Sequence, residues 1–191
     1  MKTLYLLRHA KSDSEGWSGQ DFERPLNERG KQACTAMAAH LREHGILPGI
    51  VLCSTAVRAR ETLAGIAGVL GWPDAEGRPH FVFRDELYLA SQGELVAEVR
   101  GLDDSVTSAM VVGHNPGLEV LAIGLAQGSG KGGGTHGKGE GDGDAFEALE
   151  RKYPTAALAT LTFESDHWRD LGPGEGQLTG FVKPSKLKAA S

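Results

Sequence analysis

Short, uninterrupted apolar runs alternate with longer segments of helical periodicity along the first two thirds of this chain. The predicted strands are residues 3–7, 50–53, 80–84 and 109–112. Helices are predicted at 27–44, at 92–100 and after Asn115-Pro116. A further helix is predicted between a cap at Ser54 or Thr55 and an end at Gly71. Because apolar runs without alternation are buried on both faces, this order predicts an α/β fold: a largely parallel sheet with helices on both sides.

The last third of the chain departs from this order. Residues 156–163 are predicted as a strand, a hairpin is predicted through 164–166 into 167–171, and 178–182 is the last predicted strand. Before them, residues 127–144 hold nine glycines, charges of both signs and no large apolar side chain. Such a segment buries too little surface to offset the entropy of ordering it, so we expect a disordered loop there.

The composition indicates one globular domain. The 191 residues are 40% hydrophobic, enough for a single domain over 1–191 with its own core. The net charge of −5 argues against a general nucleic-acid binder. Because no apolar stretch is long enough to cross a bilayer and no signal-peptide pattern opens the chain, we expect a cytoplasmic protein without a membrane partner.

Neither the cysteines nor the glycines predict a cofactor site. Cys34 and Cys53 lie in apolar helical and strand patterns, so we expect buried thiols rather than a disulfide or a metal site. The glycine-rich tract lacks the G-x-x-x-x-G-K-[ST] spacing of a phosphate-binding loop.

Four side chains suited to phosphate chemistry follow predicted strands. Arg8 and His9 come directly after the first strand, Arg58 lies in the first turn of the helix after the second, and His114 follows the fourth. In open α/β sheets, ligands bind beyond the carboxyl ends of the strands. A cation in the first helical turn is disfavoured by the helix dipole, and such a local conflict often marks a site.

Two carboxylates follow the third predicted strand. They are Asp85 and Glu86, in the segment Phe83-Arg84-Asp85-Glu86-Leu87. Glu86 is our candidate for the group that protonates a leaving group and later deprotonates water, and Asp85 is the alternative.

The roles of the other four residues follow from charge. A phosphoryl group carries about two negative charges near neutral pH, and Arg8 and Arg58 can each bind its oxygens with two hydrogen bonds. His114, if protonated, supplies a third donor. Neutral His9 can attack phosphorus through one ring nitrogen while an acceptor holds the other, and the surrounding cations lower its pKa.

Four segments stand in a recognisable order along the chain. They are Leu7-Arg8-His9-Ala10-Lys11-Ser12, Asp21-Phe22-Glu23-Arg24-Pro25-Leu26-Asn27-Glu28-Arg29-Gly30, Ser54-Thr55-Ala56-Val57-Arg58-Ala59-Arg60-Glu61-Thr62 and Val112-Gly113-His114-Asn115-Pro116-Gly117. They resemble the motifs of the histidine phosphatase superfamily and, within it, of the SixA-like phosphohistidine phosphatases. Ala10 replaces the glycine of the family's Arg-His-Gly motif. The resemblance covers residues 2–126 and the closing strands, but not the glycine-rich tract.

The resemblance implies a phosphoglycerate-mutase-like fold, a three-layer α/β/α sandwich around a mostly parallel sheet. It implies hydrolysis through a phosphohistidine intermediate, without metal or cofactor. It assigns nucleophilic attack to His9 and phosphate binding to Arg8, Arg58 and His114. The acid varies in position within the superfamily, so Glu86 is not fixed by the resemblance, and Arg24 of the Arg-Pro-Leu motif is expected to be structural or a rim contact.

Three functions are compatible with these residues. The first is a phosphatase acting on phosphohistidine of a histidine-phosphotransfer protein. Only about 25 residues separate the third and fourth predicted strands, which leaves no room for a large cap over the pocket. The second is a phosphatase for a small phosphorylated metabolite. The third is a non-catalytic phosphate-binding module, against which the intact set of arginines and histidines argues.

Overall fold

The computed structural model describes residues 1–13, 17–126 and 142–187, whose six strands form one sheet in the order β3-β2-β4-β1-β5-β6. The strands are β1 (Lys2–Arg8), β2 (Ile50–Ser54), β3 (His80–Arg84), β4 (Ser108–Gly113), β5 (Leu158–Phe163) and β6 (Gln177–Val182). The helices are α1 (Glu28–Glu43), α2 (Val57–Leu70), α3 (Gln92–Arg100), α4 (Gly117–Ala126) and α5 (Asp142–Arg151). The strands and helices predicted in the first two thirds of the chain are confirmed with nearly the same bounds.

The sheet is mixed, whereas the sequence predicts a mostly parallel one. Strands β1 to β4 run parallel to one another, and β5 and β6 pair antiparallel. The chain reverses before β5, where the Ala156 amide donates to the carbonyls of Arg8 and His9, at 3.1 Å each. Since β5 starts at the edge where β1 ends, it pairs with β1 in the antiparallel sense. The parallel half still brings four carboxyl strand ends together.

Helices cover both faces of the sheet, and alternate side chains of β1 enter different cores. Leu4 and Leu6 pack with residues of α3, α4 and α5, and Leu7 packs with residues of α1 and α2. The helical side chains buried in the first core include Leu95, Val99, Leu118, Leu121, Leu125 and Leu149, and those in the second include Cys34, Met37, Leu41, Leu63 and Ile66. The predicted three-layer α/β/α arrangement is therefore confirmed.

Short-range hydrogen bonds set the ends of the helices around the site. Asn27 caps α1 as predicted, because its side chain accepts from the Gly30 amide at 3.0 Å. Gly71 ends α2 in the left-handed conformation, also as predicted. The prediction that Ser54 or Thr55 caps α2 is wrong, since the N-cap is Ala56 and makes no side-chain capping bond. This leaves the Ser54 hydroxyl available to the site described below.

Three further predictions differ from the structure. Segment 167–171 is not a strand but contains a 3-10 turn, Trp168–Asp170, because the Trp168 ring is buried and donates to the Val106 carbonyl at 2.8 Å. Helix α4 begins at Gly117, after a cis Asn115–Pro116 bond, rather than at Pro116. Helix α5 occupies the end of the predicted 127–144 loop, whose residues 127–141 lie outside those described.

The cysteines are buried and free, as the sequence predicts. Burial raises the pKa of both thiols, Cys34 and Cys53, to about 12, so both are protonated at neutral pH. None of the helices in the described part of the chain is long and apolar enough to span a membrane.

Candidate active site

Arg8, His9, Arg58 and His114 meet at the carboxyl edge of the parallel strands. β1 and β4 pair in a register that sets Arg8 beside Gly113, so His9 and His114 leave the sheet together. Their ring centroids are 5.1 Å apart, and the Arg58 Nε lies 3.3 Å from His9 Nε2. The four residues, which the sequence places after three different strands, therefore form one cluster, which we call the pocket.

The His9 ring is fixed in one orientation. Its Nδ1 lies 2.7 Å from the Ala10 carbonyl oxygen, so the ring hydrogen resides on Nδ1 and the lone pair on Nε2. The Ala10 amide donates to the Thr62 hydroxyl at 2.9 Å, which anchors this turn to α2. Burial, and then the charges of Arg58, Arg8 and Arg24, lower the pKa of His9 to about 4. His9 is therefore neutral at neutral pH.

Arg58 is only 2% exposed, and its guanidinium makes three hydrogen bonds. Its Nε–H points at His9 Nε2. Its Nη1 and Nη2 donate to Asp21, to the backbone carbonyl at 2.6 Å and to the carboxylate Oδ2 at 2.9 Å. A buried cation in the first turn of α2 opposes the helix dipole, and the Asp21 carboxylate offsets that charge.

Arg8 is held by the segment that follows α5. Its Nη1 donates to the Tyr153 carbonyl at 2.6 Å, and Nδ2 of the Asn115 side chain donates to the same oxygen at 3.2 Å. The Arg8 Nε is buried and has no hydrogen-bond partner among the described residues. Arg8 therefore keeps a buried donor that is not committed to the described part of the protein.

His114 is also neutral, whereas the sequence analysis considers it as a donor in its protonated form. Burial, and then the neighbouring His9 ring and the charge of Arg58, lower its pKa to about 3. Its Nε2 lies 2.8 Å from the Ser54 hydroxyl, which itself accepts from the Ala56 amide at 3.3 Å. When the hydroxyl hydrogen points at Nε2, the ring hydrogen of His114 lies on Nδ1. In that tautomer Nδ1, which is buried without a partner in the described residues, is a donor even though the ring is neutral.

Two residues that the sequence analysis missed complete the pocket wall. The Asp21 carboxylate accepts from Arg58, from Arg24 Nη2 at 2.7 Å and from the Tyr88 hydroxyl at 2.8 Å. The Tyr88 ring stands at 88° to that of His114, with centroids 5.5 Å apart, and lies 5.7 Å from the Arg58 guanidinium. Arg24 thus lies beside the pocket, and its role as a structural residue or a rim contact stays a prediction. Asp21 opens the Arg-Pro-Leu segment, which was a signal that could have found it.

The sequence and the fold match known proteins. The model of the histidine phosphatase superfamily (branch 1) matches residues 4–81. An uncharacterized protein of Mycobacterium tuberculosis is 37% identical over 180 residues, which cover 93% of this chain and 99% of that protein. The protein assigned as phosphohistidine phosphatase SixA in Nakamurella multipartitia superposes with a TM-score of 0.76 at 29% identity, over 96% of each chain. Its counterpart in Agrobacterium tumefaciens gives a TM-score of 0.73 at 27% identity, over 96% of this chain and 98% of that one.

The chain belongs to the histidine phosphatase superfamily, in its SixA-like branch. This membership supports phosphatase activity, and the phosphoglycerate-mutase-like fold expected from the sequence is confirmed.

The two candidate acids of this histidine phosphatase lie on a 3-10 turn, Asp85–Leu87, after β3. Asp85 accepts from the Thr55 hydroxyl at 2.5 Å. Glu86 is exposed, and its side chain makes no hydrogen bond or ion pair with the described part of the chain. Its role as the acid stays a prediction.

The charges of the pocket suit an anion. Asp21 pairs with Arg58 and Arg24, and the charge of Glu119 acts on Arg8, so three arginines outnumber two carboxylates and leave a net positive charge around His9 Nε2. Within residues 1–13, 17–126 and 142–187, no group of three or more His, Cys, Asp or Glu side chains is placed to hold a metal ion. The arrangement can bind a phosphoryl group and present a neutral ring nitrogen to it.

Proposed function

We propose that this protein hydrolyses phosphoryl groups through a covalent phosphohistidine at Nε2 of His9, using its own cations rather than a metal. The observation that carries this proposal is the state of the His9 ring. The ring is neutral, its Nδ1 is committed to the Ala10 carbonyl, and its Nε2 faces the Arg58 guanidinium. A neutral imidazole with a fixed tautomer beside a cation is an activated nucleophile for an electron-poor phosphorus atom.

The first step transfers the phosphoryl group to His9. The lone pair on Nε2 forms an N–P bond while the bond from phosphorus to the leaving group breaks in line, and the bonding pair goes with the leaving group. The Nε–H of Arg58, which now points at Nε2, turns to a phosphoryl oxygen, and Arg8 Nε and His114 Nδ1 supply further donors. Donors placed where charge develops stabilise the transition state more than the bound substrate.

The second step releases phosphate. A water oxygen attacks phosphorus, the N–P bond breaks, and its electron pair returns to Nε2 while the water loses one proton to solvent or to a phosphate oxygen. His9 keeps its Nδ1–H throughout both steps, because the Ala10 carbonyl holds it. The nucleophile is therefore regenerated without a proton transfer to or from its own ring.

We assign phosphohistidine on a protein as the substrate class. A phosphorylated imidazole with a proton on its other ring nitrogen leaves as neutral imidazole, so its release requires no acid from the pocket. An alkyl phosphate leaves as an alkoxide and needs one. Among the described residues, the carboxylate that hydrogen-bonds to the pocket is that of Asp21, which is engaged by three donors, and Glu86 is exposed. A pocket with its carboxylates in these positions favours the substrate whose leaving group needs no acid, which is phosphohistidine.

The connection between β3 and β4 also supports a protein substrate. It contains only the Asp85–Leu87 turn and α3, so it adds no cap domain above the pocket. A phosphorylated side chain that projects from another protein can approach such a site. The SixA names of the solved relatives agree with this assignment.

The intermediate is tested by labelling with a radioactive phosphoryl donor. The protein is expected to acquire an acid-labile, base-stable label, and His9→Ala is expected to lose both the label and hydrolysis of an aryl phosphate while it still binds phosphate. His80→Ala is the matched control, since His80 is exposed at the start of β3, at the opposite edge of the sheet. Turnover by His9→Ala near the wild-type rate would reject His9 as the nucleophile.

The substrate class is tested by comparing kcat/KM for phosphorylated histidine-phosphotransfer domains with a panel of phosphorylated metabolites. Higher kcat/KM for the phosphorylated domains supports the assignment, and higher kcat/KM for a metabolite overturns it. Phosphate binding without label or turnover on any substrate would make the protein a binding module instead.

A further inference from the structure

We propose that Asp21 is a positioning residue for the phosphoryl-transfer step: its carboxylate holds the outer end of the Arg58 guanidinium so that the inner edge faces His9 Nε2. This inference rests on the proposed function, because it assigns Asp21 a part in the same reaction. It does not make Asp21 a catalytic residue, since the carboxylate contacts Arg58 and not the reacting atoms.

The donors of Arg58 divide between two partners. Nη1 and Nη2, at the end of the guanidinium, bind the carbonyl and the carboxylate of Asp21. Nε faces His9. Nη2 carries a second N–H on the same side as Nε, because the five donors of a guanidinium have a fixed planar geometry. With Asp21 at the outer end, Nε and this second N–H form a two-donor edge directed at a phosphoryl group on His9.

The carboxylate is itself held in place. Arg24 donates to one oxygen, and the Tyr88 hydroxyl and Arg58 donate to the other. Partial burial opposes ionisation, but the Tyr88 hydrogen bond and the contacts with Arg58 and Arg24 hold the pKa of Asp21 below its usual value. Asp21 is therefore an anion whenever the pocket works at neutral pH.

Orientation and binding make different demands on Arg58. Affinity for a phosphate anion depends mainly on the net positive charge of the pocket, and Asp21 reduces that charge. The transition state needs donors directed at the equatorial oxygens, and Asp21 fixes that direction. Loss of the carboxylate is thus expected to lower turnover without weakening phosphate binding. A purely structural residue would lower both together.

The test compares Asp21→Asn with Glu23→Gln. Glu23 lies on the same 3-10 turn, Asp21–Glu23, and is exposed, so its variant removes the same charge from the same segment without touching Arg58. With para-nitrophenyl phosphate, Asp21→Asn is expected to lower kcat roughly 10- to 100-fold, the range for a lost hydrogen bond to a charged group. Inhibition by inorganic phosphate is expected to be unchanged or stronger, and Glu23→Gln is expected to match the wild-type protein.

A second variant separates positioning from folding. Tyr88→Phe removes one donor to Asp21 and leaves the carboxylate, so a smaller loss of kcat is expected, and the losses of the double variant are expected not to add. The proposal is overturned if Asp21→Asn retains the kcat of Glu23→Gln, or if phosphate inhibition weakens in proportion to kcat. Failure of the proposed function gives a different result, namely no turnover and no label in the wild-type protein.

Discussion

The two neutral histidines of the pocket make the stability of the fold depend on pH. An unfolded histidine has a pKa of about 6.5, whereas burial holds His9 near a pKa of about 4 and His114 near about 3. Below pH 6.5 the unfolded chain therefore binds protons that the folded protein does not. Because this linkage favours the unfolded state, stability is full above pH 6.5 and is lost as the pH falls toward 4.

The magnitude follows from the two pKa values of each ring. Between pH 7 and pH 5 an unfolded histidine becomes almost fully protonated, while His9 and His114 stay almost fully neutral in the folded state. Over this interval the unfolding free energy therefore falls by about 2 kcal/mol for each ring. Together they are expected to lower the stability by roughly 4 kcal/mol, a large part of the total for a domain of this size.

Urea unfolding at pH 5, 6 and 7, followed by tryptophan fluorescence, measures this loss. The buffers must lack phosphate, because an anion that binds only the folded pocket adds stability of its own. The matched variant is His114→Gln, whose amide can replace the ring Nε2 beside the Ser54 hydroxyl but cannot titrate. Between pH 7 and pH 5, the unfolding free energy of His114→Gln is expected to fall by about 2 kcal/mol less than that of the wild-type protein.

The comparison with the variant isolates His114 from other groups. His40 is partly buried, its pKa is also lowered by burial and then by His44, and it contributes to both proteins equally. If the wild-type protein and His114→Gln lose the same free energy between pH 7 and pH 5, His114 does not resist protonation in the folded state. That result would refute the neutral state assigned to it.

Two further predictions concern single contacts. Arg58→Lys removes the Nε donor beside His9 and the fork on Asp21, so kcat/KM for an aryl phosphate is expected to fall about 10²- to 10³-fold; a variant with wild-type kcat/KM would contradict the role of the guanidinium. Gly30→Ala places a Cβ 2.1 Å from the Lys11 carbonyl oxygen, whereas Gly68→Ala in α2 meets nothing within 4 Å. Thermal or urea unfolding is expected to show a loss of about 1–3 kcal/mol for Gly30→Ala and a gain of about 0.5–1 kcal/mol for Gly68→Ala; equal effects would contradict the close contact.

The sequence predicts the pocket because strand ends are local features. A continuous apolar run identifies β1, and Arg8 and His9 follow it directly. The general rule that ligands bind at the carboxyl edge of parallel strands then joins them to Arg58 and His114. The structure adds that burial keeps the His114 ring neutral.

The wall of the pocket could not be predicted in this way. Asp21 and Arg58 are 37 residues apart, and Asp21 and Tyr88 are 67 residues apart, so the Arg-Pro-Leu segment could have drawn attention to Asp21 but could not indicate either contact. Helix α5 is different, because a signal was present. Ala145, Phe146 and Leu149 stand at helical spacing and pack into the core, but the preceding glycines concealed this pattern.

The same physical cause supports catalysis and limits stability. Burial beside Arg8 and Arg58 keeps His9 unprotonated and therefore nucleophilic, and it equally makes protonation favour the unfolded chain. A substitution that removes a titrating ring from the pocket is thus expected to make the fold less sensitive to acid, while it removes a donor or the nucleophile. Variants that replace His9 or His114 should accordingly lose less stability between pH 7 and pH 5 than the wild-type protein does. The same variants lack a neutral ring on which phosphoryl transfer depends.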